Sequence, residues 1–351
     1  MLVSTRTVPP RSWRIRGAVF RLRERGTKDR VYGLPVPPIA CRMGTGDLQL
    51  QLLDPSGTVS REHAEFVPLE VDGDIIWKVH DLGSKNGLYC DGERLRACVL
   101  RPGLEVRLGE LRLIAESMEL VGLLSVLRRC LGWAEDQQEH VDQALQSLRG
   151  WASQRAELII VGDGDLCPLV RRWHNLVIGA EVPFTWYEPP GVTDAAAVVK
   201  AAAMGTLCVA TKDHQAEAMA VVERVHETKH IERSQLVLCT ADLTSAATLK
   251  GSLDRPAVIQ VPPLASRASE LEDIVREYAW EIAREQRLST PELQDLEKLG
   301  RWTYRSLAEI EDDALKLVML RTWGLRAAAA RLGMTHSSLH SWAQHRGLKT
   351  S

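Results

Sequence analysis

Val59-Ser60-Arg61-Glu62-His63-Ala64, followed some twenty residues later by Asp81-Leu82-Gly83-Ser84-Lys85-Asn86-Gly87, decides how the first part of this chain folds. Short apolar segments flank both stretches. Ala18-Val19-Phe20-Arg21-Leu22-Arg23 alternates apolar and polar residues, the period of a half-buried strand. Leu48–Leu53, His63–Leu69, Ile75–His80, Leu88–Cys90, Leu104–Leu108 and Leu111–Ala115 follow, separated by turn residues such as Asp54-Pro55-Ser56-Gly57 and Asp72-Gly73-Asp74. Many short strands at such spacing predict an antiparallel β-sandwich over residues 13–116, with function carried by the loops at one end.

Those two loops and their flanks resemble the forkhead-associated (FHA) domain, a sandwich that binds phosphothreonine peptides. A phosphate dianion needs hydroxyl and amide donors and a fixed positive charge, and a peptide backbone needs a side-chain amide that both donates and accepts. The resemblance implies that Ser60 holds the phosphate, that Arg61 and Lys85 sit beside it, and that Asn86 holds the peptide backbone. It also implies structural roles for His63, which buttresses the loop, and for Gly44, Gly83 and Gly87, which permit close approach and tight turns. The family's Gly-Arg at the end of the preceding strand is matched here by Gly44-Thr45. Loss of that guanidinium costs about 1.5–3 kcal/mol, roughly one to two decades of affinity. Arg42, Arg61 and Lys85 are the candidates to compensate, with Arg42 on the same strand face as Gly44.

A chain of 351 residues is long enough for two or three domains, and a net charge of −2 gives no global bias towards nucleic acid or membranes. The seven cysteines are scattered and never spaced CxxC, which predicts reduced thiols, no zinc site and no disulfide frame. No apolar run reaches the ~18 residues of a membrane span. Residues 1–12 read as a basic tail without a signal-peptide core. These readings predict a cytoplasmic protein with no membrane partner.

Residues 117–157 read as a helical connector. Val141, Leu145, Leu148 and Trp151 form one apolar face, expected to pack on the following domain, while Glu135, Asp136, Glu139 and Asp142 form a solvated one. Residues 158–312 then alternate strands and helices, as in a mostly parallel α/β sheet. Glu157–Gly164 is a strand running into a glycine turn before the helix Leu169–Leu176, a combination able to form a phosphate nest.

The order of pieces in 158–312 resembles the AAA+ domain of NtrC-type regulators of sigma-54 polymerase. Val261-Pro262-Pro263-Leu264, Leu288-Ser289-Thr290-Pro291-Glu292-Leu293, Trp302 and Arg305-Ser306-Leu307 carry that resemblance. In register, Pro168 stands where that family has its phosphate-binding lysine, and Ala210-Thr211 where it has an acidic pair. The expectation is a degenerate fold with a helical lid, no cofactor and no enzyme activity. Asp163, Asp165 and Asp213 read as solvated loop carboxylates rather than a metal site.

From residue 313 to 351 the sequence reads as all-helical. Leu325–Thr335 and His336–Arg346 resemble a Fis-type helix-turn-helix, with Gly333 in the turn and Thr335 as cap. Beyond Leu317 there are five basic residues (Arg321, Arg326, Arg331, Arg346 and Lys349) and no Asp or Glu. Thr335, His336, Ser337, Ser338, His340, Ser341, Gln344 and Arg346 are therefore the candidate DNA contacts. The whole predicts a multidomain protein: FHA β-sandwich, degenerate AAA+-like α/β domain, Fis-type hairpin. Its expected partners are a Thr-phosphorylated protein, DNA, and a second copy through the AAA+-like domain or the hairpin. A phosphopeptide-binding adaptor without DNA binding is the alternative.

Overall fold

The computed structural model describes residues 13–154, 156–189, 194–211, 214–228 and 234–349. The predicted tail 1–12 and Asp213 lie outside them. Two compact units emerge: Met1–Arg128 with Trp133–Arg155 and Leu176–Ala180, and Arg129–Gly132 with Ala156–Asn175 and Glu181–Ser351.

The first unit is a two-sheet sandwich. Its strands are β1 (Arg21–Glu24), β2 (Val31–Gly33), β3 (Cys41–Gly44), β4 (Leu50–Gln51), β5 (Ala64–Val71) and β6 (Asp74–Asp81). Then come β7 (Leu88–Cys90), β8 (Glu93–Leu95), β9 (Ala97–Val99), β10 (Glu105–Leu108) and β11 (Leu111–Glu116). One sheet has the order β2-β1-β11-β10-β7-β8, the other β4-β3-β5-β6-β9. Alternating inward residues, including Leu22, Met43, Phe66, Val79, Leu88, Val106 and Leu113, fill the space between them.

Two helices complete this unit: α1 (Met118–Leu131), up to Arg128, and α2 (Gln138–Gln154). Of the predicted solvated residues, Glu135, Asp136 and Glu139 are exposed, and Asp142 alone is corrected. Asp142 is buried, and its carboxylate accepts from Nη1 and Nη2 of Arg23 at 2.9 and 2.5 Å and from the Gly26 amide at 2.8 Å. Arg23 in turn reaches Glu116 at 2.6 Å, and Arg25 reaches Glu139. The partner of Asp142 is 119 residues away in sequence, so local periodicity could not reveal it. The helix therefore lies on β1 of its own unit. A second correction concerns Cys90 and Cys98, which form a disulfide between β7 and β9, strands of different sheets. Their separation of eight residues matches no recognisable cysteine spacing.

The second unit begins with an all-parallel sheet. Its strands and helices are β12 (Leu158–Val161), α3 (Cys167–His174), β13 (Phe184–Tyr187), α4 (Ala195–Ala201), β14 (Thr206–Ala210), α5 (Gln215–Glu227), β15 (Gln235–Thr240), α6 (Leu243–Gly251) and β16 (Ala257–Gln260). The order is β13-β14-β15-β12-β16. Central strands are buried on both faces, hence their continuous apolar runs. The edge strands β13 and β16 lack such runs and escaped the sequence reading.

Four helices follow: α7 (Leu271–Gln286), α8 (Leu293–Gly300), α9 (Leu307–Arg331) and α10 (His336–His345). A residue at φ 69° and ψ 169°, Gly324, breaks α9 and sets its last part apart as the first helix of a hairpin with α10. Gly333 turns the chain at φ 65°, and the Thr335 hydroxyl accepts the Ser338 amide at 3.1 Å, as the predicted cap requires. Ala328, Ala329 and Leu339 close the hairpin against Met319. Among the described residues no helix is long and apolar enough to cross a membrane.

Candidate functional site

The two loops singled out in the sequence meet at one end of the sandwich. Asp54 holds the first in shape, its carboxylate accepting the Ser56 and Val59 amides at 3.1 and 2.6 Å. Asp81 and Ser84 hold the second, with the Ser84 hydroxyl donating to Asp81 and accepting the Gly87 amide at 2.9 Å. Gly83 and Gly87 sit at φ 75° and 78°, where a Cβ is disfavoured.

His63 joins the loops from beneath. It is fully buried, its Nδ1 accepts the Ser60 amide at 3.1 Å, and its Nε2–H donates to the Gly87 carbonyl at 3.1 Å. That pairing fixes one neutral tautomer, and burial lowers the imidazole pKa. Above it the Ser60 hydroxyl accepts the Lys85 amide at 3.0 Å. Asn86 donates to the Thr58 carbonyl at 2.7 Å, leaving its amide oxygen without a partner among the described residues.

Gly44 is required by close packing. A Cβ there would lie 2.2 Å from the Arg61 carbonyl oxygen and 2.7 Å from that of Ser60. The neighbouring amides of Thr45 and Gly46 donate to these same two carbonyls at 3.2 and 3.0 Å. Strand β3 and the Ser60 loop are thus locked together.

Arg61 and Lys85 are exposed, and neither side chain forms an ion pair among the described residues. Arg42 differs: its guanidinium is engaged by Glu62 at 2.7 Å and Glu65 at 3.3 Å, so it does not replace the missing arginine at position 45. One cation was missed by the sequence reading. Arg94 on β8 covers Gly87, with Nε 2.6 Å from where a Gly87 Cβ would stand. The signal that could have found it is Asp91-Gly92, at φ 47° and 84°, the two-residue turn that folds β8 back on β7.

The arrangement presents a hydroxyl, an unsatisfied amide oxygen and unpaired cations at one end of the sandwich. A family model for the FHA domain matches residues 42–109. Residues 42–109 form an FHA domain. No curated protein matches the chain. Similar solved structures include one described as a structural and functional analysis of phosphothreonine-dependent FHA domain interactions, at 28% identity, covering 28% of this chain and 94% of that one with a TM-score of 0.24. Another is the FhaA FHA domain complexed with the intracellular domain of Rv3910, at 29% identity, covering 27% and 98%, with a TM-score of 0.24. A third is the FHA domain of CT664 from Chlamydia trachomatis, at 21% identity, covering 28% and 95%, also with a TM-score of 0.24.

The second candidate site, the loop after β12, is closed by its own side chains. The predicted nest at the α3 N-terminus is already occupied: Asp165 accepts the Cys167 amide at 2.9 Å, and Pro168 removes another donor. Ser306 packs over Gly164, where a Cβ would lie 2.7 Å from the Ser306 Cβ. Arg172 pairs with Glu281 at 2.5 Å and Glu311 at 2.7 Å. The remaining cavity of about 20 Å³ has room for roughly one water molecule. Arg305, the expected lid arginine, is exposed, and its backbone amide donates to Glu309 at 2.8 Å. Among the described residues no cluster of His, Cys, Asp or Glu has the geometry of a metal site.

On α10, Thr335, His336, Ser337, Ser338, Ser341 and Gln344 are exposed together, and His340 is half-buried with its ring stacked on His336 at 6.3 Å. Arg346 does not belong with them. Its Nε is bound by Asp313 at 2.7 Å, beside the Trp342 indole on the same carboxylate, and its guanidinium lies 4.1 Å from the Trp302 ring centre. Arg321 is likewise taken by Asp295 at 2.6 Å. Both acids precede Leu317, so the acid-free composition of the C-terminal stretch overstated its free charge. Arg326 and Lys349 remain exposed, and exposed Arg331 lies 4.2 Å from the Trp323 ring centre.

Proposed function

We propose that this protein is a phosphothreonine-responsive regulator. The FHA loops take a Thr-phosphorylated partner, and the C-terminal helical hairpin acts on DNA. The observation that carries the reading is the junction of Ser60 with Lys85 over His63, flanked by the unpaired cations Arg61 and Lys85. A hydroxyl, a cationic rim and a free amide oxygen meet the needs of a phosphate and the peptide backbone beside it. The phosphothreonine-dependent interactions named for one similar structure agree with it.

The parallel sheet, the glycine loop before α3 and the helices α7–α9 support a degenerate AAA+-like module with a lid. Asp165 takes the Cys167 amide and the cleft holds room for little more than a water molecule, which supports a role in assembly rather than ATP hydrolysis and a protein without enzyme activity. The exposed polar face of α10 and the free charges of Arg326, Arg331 and Lys349 support the helix-turn-helix role. The cytoplasm is the proposed compartment.

The engagement of Arg346 and Arg321 by acidic residues favours a second reading, an adaptor whose hairpin only packs. Anisotropy with labelled genomic fragments separates the two. The regulator binds a subset of fragments with an affinity that falls steeply with salt and falls further in an Arg326→Ala/Arg331→Ala variant. The adaptor binds none of them. A phosphopeptide shifts DNA affinity only by its differential affinity for the two arrangements of the protein.

A further inference from the structure

One row of residues crosses four strands on the outer face of the six-stranded sheet. Arg94 on β8 stands opposite Tyr89 on β7, Tyr89 opposite Arg107 on β10, and Arg107 opposite Arg112 on β11. Residues in register share a face, and the inward neighbours Leu88, Cys90, Val106, Leu108 and Leu113 are buried. The Arg107 guanidinium lies 3.7 Å from the centre of the Tyr89 ring. None of the three arginines meets a carboxylate among the described residues. The acids of that face are taken elsewhere, Glu105 by Arg25 at 2.6 Å and Asp91 by Arg149 at 2.6 Å. Glu93, beside Arg94 on β8, and Glu110, in the β10–β11 turn, are exposed, and neither forms an ion pair with the row among the described residues. Like charges facing each other across strands destabilise a sheet, so this row is a cost the fold carries without an internal partner.

The row is continuous with the phosphate loops at two points. Arg94 covers Gly87, and Arg107 donates to the Gly109 carbonyl at 3.0 Å, where Gly109 packs against Thr58, whose carbonyl holds Asn86. With strands ~4.8 Å apart, the row extends roughly 14 Å, the reach of about four extended residues.

We infer that the arginine row is a second contact surface, and that the phosphothreonine partner carries an acidic segment next to its phosphorylated residue. This rests on the phosphothreonine reading of the loops. Charge complementarity and continuity with the loops select an Asp/Glu-rich flank. A nucleic acid strand would satisfy the charge, but not the continuity with a peptide site.

The test uses the full chain and six fluorescein-labelled peptides, phosphorylated or not at a central threonine, with Ala/Gln flanks, with four Asp/Glu before the threonine or with four Asp/Glu after it. Among the three phosphorylated peptides, an acidic flank on one side is expected to tighten binding about tenfold over the neutral flank at physiological salt. The gain shrinks at high salt. It is lost in Arg112→Gln, which keeps its affinity for the neutral-flank phosphopeptide. In Arg112→Glu, a single surface change, the acidic flank weakens binding instead. Equal affinity for acidic and neutral flanks, or a gain that survives both variants, overturns the inference. So does arginine-row-dependent binding of a DNA duplex with no gain from the acidic flank. Failure of the underlying reading shows separately, as equal affinity for phosphorylated and unphosphorylated peptides of either flank.

Discussion

Replacing Asp142 by Ala is expected to lower the stability of the first unit by ~3–5 kcal/mol. The change leaves the Arg23 guanidinium, only 1% exposed, without its bidentate partner, and leaves the Gly26 amide without an acceptor. Glu116 stays on Nε of Arg23 but already serves Arg21 as well. The loss is a large share of the ~5–15 kcal/mol that typically stabilises a domain. It reads out as a shift of the first unit's unfolding transition in urea, followed by tryptophan fluorescence. The double replacement Arg23→Met/Asp142→Leu is expected to recover much of it, because removing both charges abolishes the uncompensated one. A single Asp142→Ala variant as stable as the parent would contradict the buried pairing.

Gly44→Ala is the second large effect, and it strikes stability and binding together. The new methyl meets two backbone carbonyl oxygens rather than the end of a flexible side chain. Relief requires β3 to move off residues 60–61, breaking the bonds from the Thr45 and Gly46 amides. Overpacking at ~1–3 kcal/mol and two hydrogen bonds at ~0.5–1.5 kcal/mol each give a cost of roughly 2–6 kcal/mol. The Ser60 hydroxyl moves with the loop, so phosphopeptide affinity falls even where the unit stays folded. Gly122→Ala is the control. It lies in α1 with open space around it and is expected to raise stability by ~0.5–1 kcal/mol without altering binding. Thermal unfolding and peptide titration on both variants check the pair.

The sandwich was legible because each loop is itself a local arrangement, Ser60 with His63 in one and Asp81, Ser84 and Gly87 in the other, and strand alternation marks their supports. The parallel sheet was legible in its centre, where strands buried on both faces read as unbroken apolar runs, and not at its edges, where Phe184–Tyr187 and Ala257–Gln260 are only partly buried. Long-range charge pairing was illegible throughout. Asp142 with Arg23, Arg346 with Asp313 and Arg42 with Glu62 and Glu65 each decide whether a charge is free, and no window of sequence contains both partners with their geometry. The same limit hid Arg94, whose role follows from a hairpin register rather than from a motif.

The central claim is that the Ser60–Asn86 end of the sandwich distinguishes phosphothreonine from threonine despite Thr45. Its most direct test is a titration of the full chain with a fluorescein-labelled degenerate peptide library fixed at a central phosphothreonine, alongside the same library after dephosphorylation. Two charge-assisted contacts of ~1.5–3 kcal/mol each predict at least about a hundredfold preference for the phosphorylated library, most of it lost in Ser60→Ala. Equal affinity for the two libraries, or a preference unchanged by Ser60→Ala, would contradict the account.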